Sequence, residues 1–309
     1  MCRIVNLKSS ARMLKFENNP DAVLTEEHSA MEKRNYTGSF CGFILLDSPG
    51  YNLTALADRL KQQWGIAPEE SPEEQIFVEG GAAGDWLDDL LAEASMDVLT
   101  APEVQDGNLV FDMPGAMVAV GYMEEPIPDG EAERFAKNNY MWSGASEAAA
   151  KHVAHLMVAV MPRDMAPVEA GKTYVKIMSA CLESGNAIAA YTSGTVQEPL
   201  FYQKIVAEMK QGSLPLHNWI YFGTYQNENG NNAYTIGMDA FGKDELEILA
   251  SERTDEELRS FLYDVAYYVL EDDITLKSGE TIGFEVDQKF PLKRGDGVAV
   301  EGHSIQIQF

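Results

Sequence analysis

Leu109-Val110-Phe111-Asp112-Met113-Pro114-Gly115-Ala116-Met117-Val118-Ala119-Val120-Gly121-Tyr122-Met123 reads as a β-hairpin. Two apolar runs of strand length flank a Pro-Gly pair, the residues that most strongly punctuate a chain. Upstream, Gly42–Asp47 is a short apolar run of buried-strand type, and Ser48-Pro49-Gly50 turns the chain. A helix follows from an Asn52 cap, with Leu53, Leu56, Ala57, Leu60 and Trp64 at helical spacing and Gly65 as its stop. Downstream, Pro126 and Pro128 end the second hairpin strand. Helical stretches then occupy 131–138 and 146–153, and the strand His155–Met161 is closed by Pro162. Strand, helix, two hairpin strands, helix and strand make the ferredoxin-like order.

The order recurs. A helix over Val168–Leu182 precedes a strand at Ala187–Thr192 and a helix entered through Pro199. A hairpin joins Trp219–Tyr225 to Ala233–Asp239 across Asn229-Gly230. Helices are predicted over Asp244–Ala250 and Glu256–Leu270. The second has a Thr254/Glu257 capping box and a stripe of Leu258, Phe261, Leu262, Val265 and Val269. Thr281–Val286 is read as the closing strand, and Val298–Val300 with Ser304–Phe309 as a last hairpin. The expectation is an α+β, two-layer fold of two pseudo-repeated ferredoxin-like (βαββαβ) halves, with mainly antiparallel sheets and an acidic insertion. Residues 1–40 form a lead segment, 41–162 the first half, interrupted by 66–106, and 163–309 the second half.

The charge is the outlying quantity: 23 Lys and Arg against 49 Asp and Glu, a net −26. Residues 1–40 carry six basic and five acidic side chains, whereas 62–133 carry 18 acids and no Lys or Arg. Such a field repels nucleic acid and anionic membranes and favours a basic protein partner. Three scattered cysteines, Cys2, Cys41 and Cys181, make neither a disulfide framework nor a metal motif and are expected as free thiols in a reducing compartment. The first residues lack the apolar core of about 7–15 residues that a secretory signal needs, and runs such as Leu156–Met161 are too short to span a bilayer. The resulting expectation is a cytoplasmic protein that does not engage membranes.

Several stretches taken together resemble a known family. They are Gly42–Leu60, Ala116–Tyr122 with Pro126-Ile127-Pro128-Asp129, Ala148–Val160 with its two histidines, Gly297–Phe309, and above all Thr235-Ile236-Gly237-Met238-Asp239-Ala240-Phe241-Gly242-Lys243-Asp244-Glu245-Leu246-Glu247. The set is similar to domain of unknown function 4261, bacterial proteins with no established activity, over about 42–65 and 107–309. Members are thought to occur in toxin-immunity gene clusters, so the resemblance implies an immunity-type role and transfers no reaction.

The candidate chemistry is sparse. His152 and His155 are spaced to share a metal on a helix, but no further ligand motif accompanies them and the predicted helix ends between them, so no metal is expected. Asp239, Glu245 and Glu247 flank Phe241-Gly242. They could act as acid and base, although acids at 244–245 also suit the first turn of a helix. Tyr191–Thr195 and Gly80–Gly84 lack a phosphate-loop pattern, and no nucleophile elbow is present. Among the aromatics, Trp219, Tyr263 and Tyr267 are the candidates for a protein interface. The leading expectation is therefore a non-enzymatic, cofactor-free binding protein, in particular an immunity-type inhibitor of a basic effector. A hydrolase with a cleft between the halves, using His152 or His155 with Asp239 or Glu245, is the second reading. A homo-oligomeric scaffold is the third.

Overall fold

The first strand runs Phe40–Leu46 (β1), and Asn52 caps the helix Leu53–Trp64 (α1) by accepting from the Ala55 amide, with Gly65 ending it in a left-handed conformation. This computed structural model describes residues 38–67, 103–105, 107–285 and 288–309. The lead segment before Gly38 and nearly all of the acidic stretch 66–106, including Gly80–Gly84, lie outside those residues.

Glu103–Gln105 (β2) precedes the hairpin, which forms as read: Asn108–Met113 (β3) pairs with Ala116–Met123 (β4) around Pro114-Gly115. Two short helices, Glu131–Ala136 (α2) and Ala145–Lys151 (α3), lead into Ala154–Pro162 (β5). The helix Pro167–Leu182 (α4) is followed by Ala187–Thr192 (β6) and Thr195–Gln197 (β7). Then come Pro199–Met209 (α5), Leu216–Trp219 (α6), Tyr221–Asn227 (β8), Gly230–Ile236 (β9), Glu245–Ser251 (β10) and Asp255–Glu271 (α7). Thr281–Ile282 (β11), Phe290–Asp296 (β12) and His303–Ile307 (β13) complete the chain.

The fold is α+β with two sheets. The first, β2-β3-β4-β5-β1-β6-β7, is antiparallel throughout. The second, β11-β12-β13-β10-β9-β8, is antiparallel except where β13 lies beside β10. No helix among the described residues is long and apolar enough to cross a membrane.

Several expectations need correction. In a ferredoxin-like half the first strand lies between the third and fourth; here β5 takes that place, between β4 and β1. The first half is also not two-layered. Leu53, Leu56 and Leu60 of α1 pack with Ile44 and Leu46 on one face of the sheet, while Ala132, Phe135, Ala145 and Ala149 of α2 and α3 pack with Leu45 and Tyr191 on the other. Element order along a chain does not dictate to which face a helix returns. Nor do the sheets divide at 163, since β6 and β7 extend the first sheet on the far side of β1.

The stretch 244–250, expected as a helix, is a strand. In Glu245-Leu246-Glu247-Ile248 the period is two: Leu246 and Ile248 enter the main core, and the glutamates share the other face. Tyr191–Thr195 is a tight hairpin turn between β6 and β7, with Ser193 (φ 46°) and Gly194 (φ 77°) both left-handed. Cys181 is a free buried thiol.

Helix α4 organises the core. It is buried along nearly its whole length, from Ala170 to Leu182, with residues pointing in every direction. At Gly171 a Cβ atom would lie 3.0 Å from the Phe40 ring on one side and 3.0 Å from Trp219 on the other, and the Trp219 indole donates to the Gly171 carbonyl at 3.0 Å. Gly171→Ala is therefore expected to overpack this junction and destabilise the protein by about 1–3 kcal/mol, read as a lower midpoint in urea with an altered Trp219 emission.

Candidate functional site

His152 and His155 sit where the sequence placed them, at the junction of α3 and β5, and their rings have separate duties. The Nε2 of His152 accepts from the Ile127 amide at 2.8 Å while its Nδ1 donates to the Ala149 carbonyl. Both nitrogens are thus used by backbone. The Nδ1 of His155 donates to the Glu125 carbonyl at 2.8 Å, and its ring meets Phe43 edge-on. Burial pulls the His155 imidazole down to about 4, so it is neutral near pH 7. Together the two rings fasten the Pro-rich connection 125–127 to the sheet. No group of three or more metal-ligating side chains comes together among the described residues.

Glu245 and Glu247 occupy the other sheet, on neighbouring same-face positions of β10, and the histidines make none of the contacts that hold them. The Glu245 carboxylate accepts from the Thr235 hydroxyl at 2.6 Å and from the Gly237 and Met238 amides at 2.8 and 3.1 Å. It thereby anchors the turn Met238–Phe241, on which Asp239 is exposed. Burial, then the charge of Asp239, pushes the Glu245 carboxyl up to about 8, against the pull of its three donors. Glu247 is fully buried and accepts from the Val298 and Ala299 amides at 3.0 and 2.6 Å and from the Ser304 hydroxyl at 2.5 Å. Each glutamate binds backbone amides of its own chain much as an anion-binding nest binds a ligand. Both are therefore closures of loops, with no substrate-facing oxygen in evidence.

Trp219 does not offer an interface. It ends a short helix rather than lying on a strand, is 2% exposed, and is wedged between Gly171 and Phe241. Cys181 is equally inaccessible, and burial pushes its thiol up to about 12.

Tyr263 and Tyr267 differ from Trp219. They stand half-buried along one edge of α7, leaning on the main core with part of each ring exposed, 6.3 Å apart between ring centres, with Tyr268 39% exposed beside them. Tyr263 also touches His217 at 4.9 Å and Phe222 at 5.7 Å, and His217 meets Phe201 of α5. His217 is a member of this group that the sequence reading missed. It lies in a polar–apolar mix without motif, and only the packing of α5, α6 and α7 gathers it in. Burial lowers its imidazole to about 4, so it serves as an uncharged ring. The rim is acidic. Burial raises the Tyr263 phenol above its usual value, and the neighbouring Tyr267, Glu208 and Asp264 add to the effect. Helix α7 itself carries five acidic residues and one basic one, which gives this aromatic strip a negative border.

These features define an α+β protein whose buried glutamates are engaged by its own backbone and which carries a partly accessible tyrosine group along α7. Residues 234–308 match the family described as Domain of unknown function (DUF4261). The family reading of the sequence thus holds over a stretch containing Glu245, Glu247 and all of α7. No curated protein and no solved structure matches the chain.

Two outcomes are expected at the glutamates. Because the folded pKa of Glu245 is raised above the ordinary 4.5, its contribution to stability is complete below about 4.5 and is lost as pH rises toward 8. Glu245→Gln, neutral throughout, should flatten that part of the stability–pH curve; identical slopes for the two proteins between pH 5 and 8 would contradict this. Glu247→Ala removes the acceptor for two amides and a hydroxyl and should cost about 2–4 kcal/mol. Amide exchange at Val298 and Ala299 should accelerate in the same variant before global unfolding.

Proposed function

We propose that the protein is a binding module for a basic protein partner, engaged through the tyrosine strip of α7 and its acidic border, and that an immunity-type inhibition of a basic effector is the particular form of this role. The observation that carries the reading is the half-exposed Tyr263–Tyr267–Tyr268 group within reach of Glu208 and Asp264. Tyrosine suits such a surface because its rigid ring offers a large apolar area with a polar tip, and few rotamers are lost on binding. Charges at the rim accelerate and orient encounter with an oppositely charged partner.

The hydrolase reading finds less support. It required His152 or His155 to act with Asp239 or Glu245; the histidines lie beside or on β5 of the first sheet, Glu245 on β10 of the second and Asp239 on the turn before it, and His152 and Glu245 spend their polar atoms within the fold. Glu245 has the raised pKa of a catalytic acid, yet it is 7% exposed and is surrounded by its own donors. Perturbed carboxylates of that kind also arise from structural burial.

The test is affinity capture from the native host at low salt, run in parallel with a Tyr267→Ala/Asp264→Lys variant. A basic protein retained by the wild type, released by about 0.5 M salt as charge screening requires, and bound at least tenfold more weakly by the variant is the expected result. Recovery of this chain alone would remove the reading and favour a homo-oligomeric scaffold.

A further inference from the structure

The connection between α2 and α3 reaches a free edge of each sheet. β7 ends the first sheet and β8 the second, and among the described residues each pairs with a single neighbour, β6 and β9. An edge strand presents unpaired backbone N–H and C=O groups, and proteins blunt such edges with charged side chains, proline or a bulge. β8 has none of these. Its seven residues, Tyr221–Asn227, include no charge and no proline, and its register against β9 is unbroken. β7 is also uncharged. The opposite edges are shorter than β8: β2 has three residues, one of them Glu103, and β11 has two.

Residues 138–142 cover β7 with side-chain amides. The Asn138 amide donates to the Gly194 carbonyl at 3.1 Å, and the Asn139 amide to the Val196 carbonyl at 2.7 Å. These are backbone acceptors that a further strand would otherwise use. The Oδ1 of Asn139 meanwhile accepts from the Met141 and Trp142 amides at 2.7 and 2.6 Å, which curls the strap back on itself. Trp142 packs with the α2 and α3 cluster and holds that end to the first sheet.

The same strap crosses to β8. The Tyr221 hydroxyl donates to the Asn138 carbonyl at 3.1 Å, and the Tyr140 and Tyr221 rings lie 6.4 Å apart. The Tyr140 ring also lies over the Arg259 guanidinium at 4.0 Å, and Arg259 donates to the Thr224 hydroxyl. Tyr221 and Thr224 are three positions apart on one strand, so they point to opposite faces of the sheet. Tyr140 contacts the first and the partner of the second, and therefore straddles the edge rather than lying on either face. The cover is lightly held: Tyr140 is 40% exposed and Met141 47%.

We propose that residues 138–142 are an internal edge guard, and that the β8 edge they close is a strand-addition site for a second copy of this chain. Charge selects that occupant. Two chains of net −26 repel one another over most of their surfaces, and β8 is the long edge that offers backbone hydrogen bonds while adding no charge from either copy. Antiparallel addition of β8 to β8 is self-complementary about a two-fold axis and joins the two six-stranded sheets into one. With the guard in place that edge stays closed, whatever the protein binds through α7.

Sedimentation velocity on the full-length protein tests this. Asn139→Ala/Tyr140→Ala should self-associate about tenfold more tightly than the wild type, the gain that a few new cross-strand pairs provide. Amide exchange along β8 should slow as the variant is concentrated. Adding Gln226→Lys, at an exposed position of β8, should return the protein to the wild-type mass, because a charge on the edge does the guard's work. A cooperative thermal transition reports that each variant is folded. If the double variant does not fold, Tyr140→Ala alone takes its place, with weaker association of the same kind expected. A folded variant that stays at the wild-type mass overturns the proposal. So does association that Gln226→Lys leaves unchanged, or a β8 that exchanges freely in the associated form.

Discussion

The contact of Trp219 with Gly171 fixes how the two sheets meet. Helix α4 turns only a narrow strip of Glu169, Lys172 and Lys176 to solvent, so the rest of its surface must be covered, one side by β1 and β5 and the other by the segments that lead into the second sheet. A glycine at 171 lets the indole approach the helix backbone closely enough to take its carbonyl as an acceptor. The remaining face of that indole packs on Phe241, in the turn that Glu245 anchors. One junction therefore links β1 of the first sheet, through Phe40, with the core helix and the carboxylate turn of the second. A buried aromatic with its N–H satisfied contributes both area and direction, which an aliphatic residue at 219 would not.

The local chemistry of the chain was legible in the sequence, and the long-range pairing was not. Asn52, Gly65 and the Thr254–Glu257 capping box do what their residue types favour, because a cap is decided within four residues. The hairpin at Pro114-Gly115 is equally local. Whether β5 or β1 stands beside β4 depends on contacts between residues more than 30 positions apart, and the apolar pattern of each strand satisfies either arrangement. The strand 245–251 shows a different failure. Asp244, Glu245 and Glu247 look like the acidic first turn of a helix, and only the alternation of Glu245 and Glu247 with Leu246 and Ile248 marks a strand whose polar face is buried. A rule that expects acids at the surface hides such a strand from sequence reasoning.

That buried face also explains why perturbed acidity need not signify catalysis. Removing a carboxylate from water is costly unless donors replace the lost hydration. Glu245 has a hydroxyl and two amides, and Glu247 has two amides and a hydroxyl. Each acid is satisfied by a loop that would otherwise leave unpaired N–H groups, so acid and loop stabilise one another. The raised pKa of Glu245 measures how incompletely its donors offset burial beside Asp239. A catalytic acid must in addition present an oxygen to a substrate, and here the oxygens are already occupied.

The functional reading therefore rests on what stays accessible. The candidate residues sorted themselves by exposure: the histidines, Trp219 and Glu245 were drawn inward to hold backbone, while Tyr263 and Tyr267 kept part of their surface. They did so on a helix whose apolar stripe faces the second sheet and whose outer side is dominated by acids. Burying the stripe of Leu258, Leu262 and Val265 contributes about 1.5–3 kcal/mol per side chain, ample to hold the helix without help from the tyrosines. Packing thus leaves Tyr268 little work within the fold, while Tyr263 and Tyr267 lean on the core and keep part of each ring exposed. Net charge by itself disfavours phosphate-rich ligands without choosing a partner; the proposed role adds the aromatic surface that the acidic border of α7 surrounds.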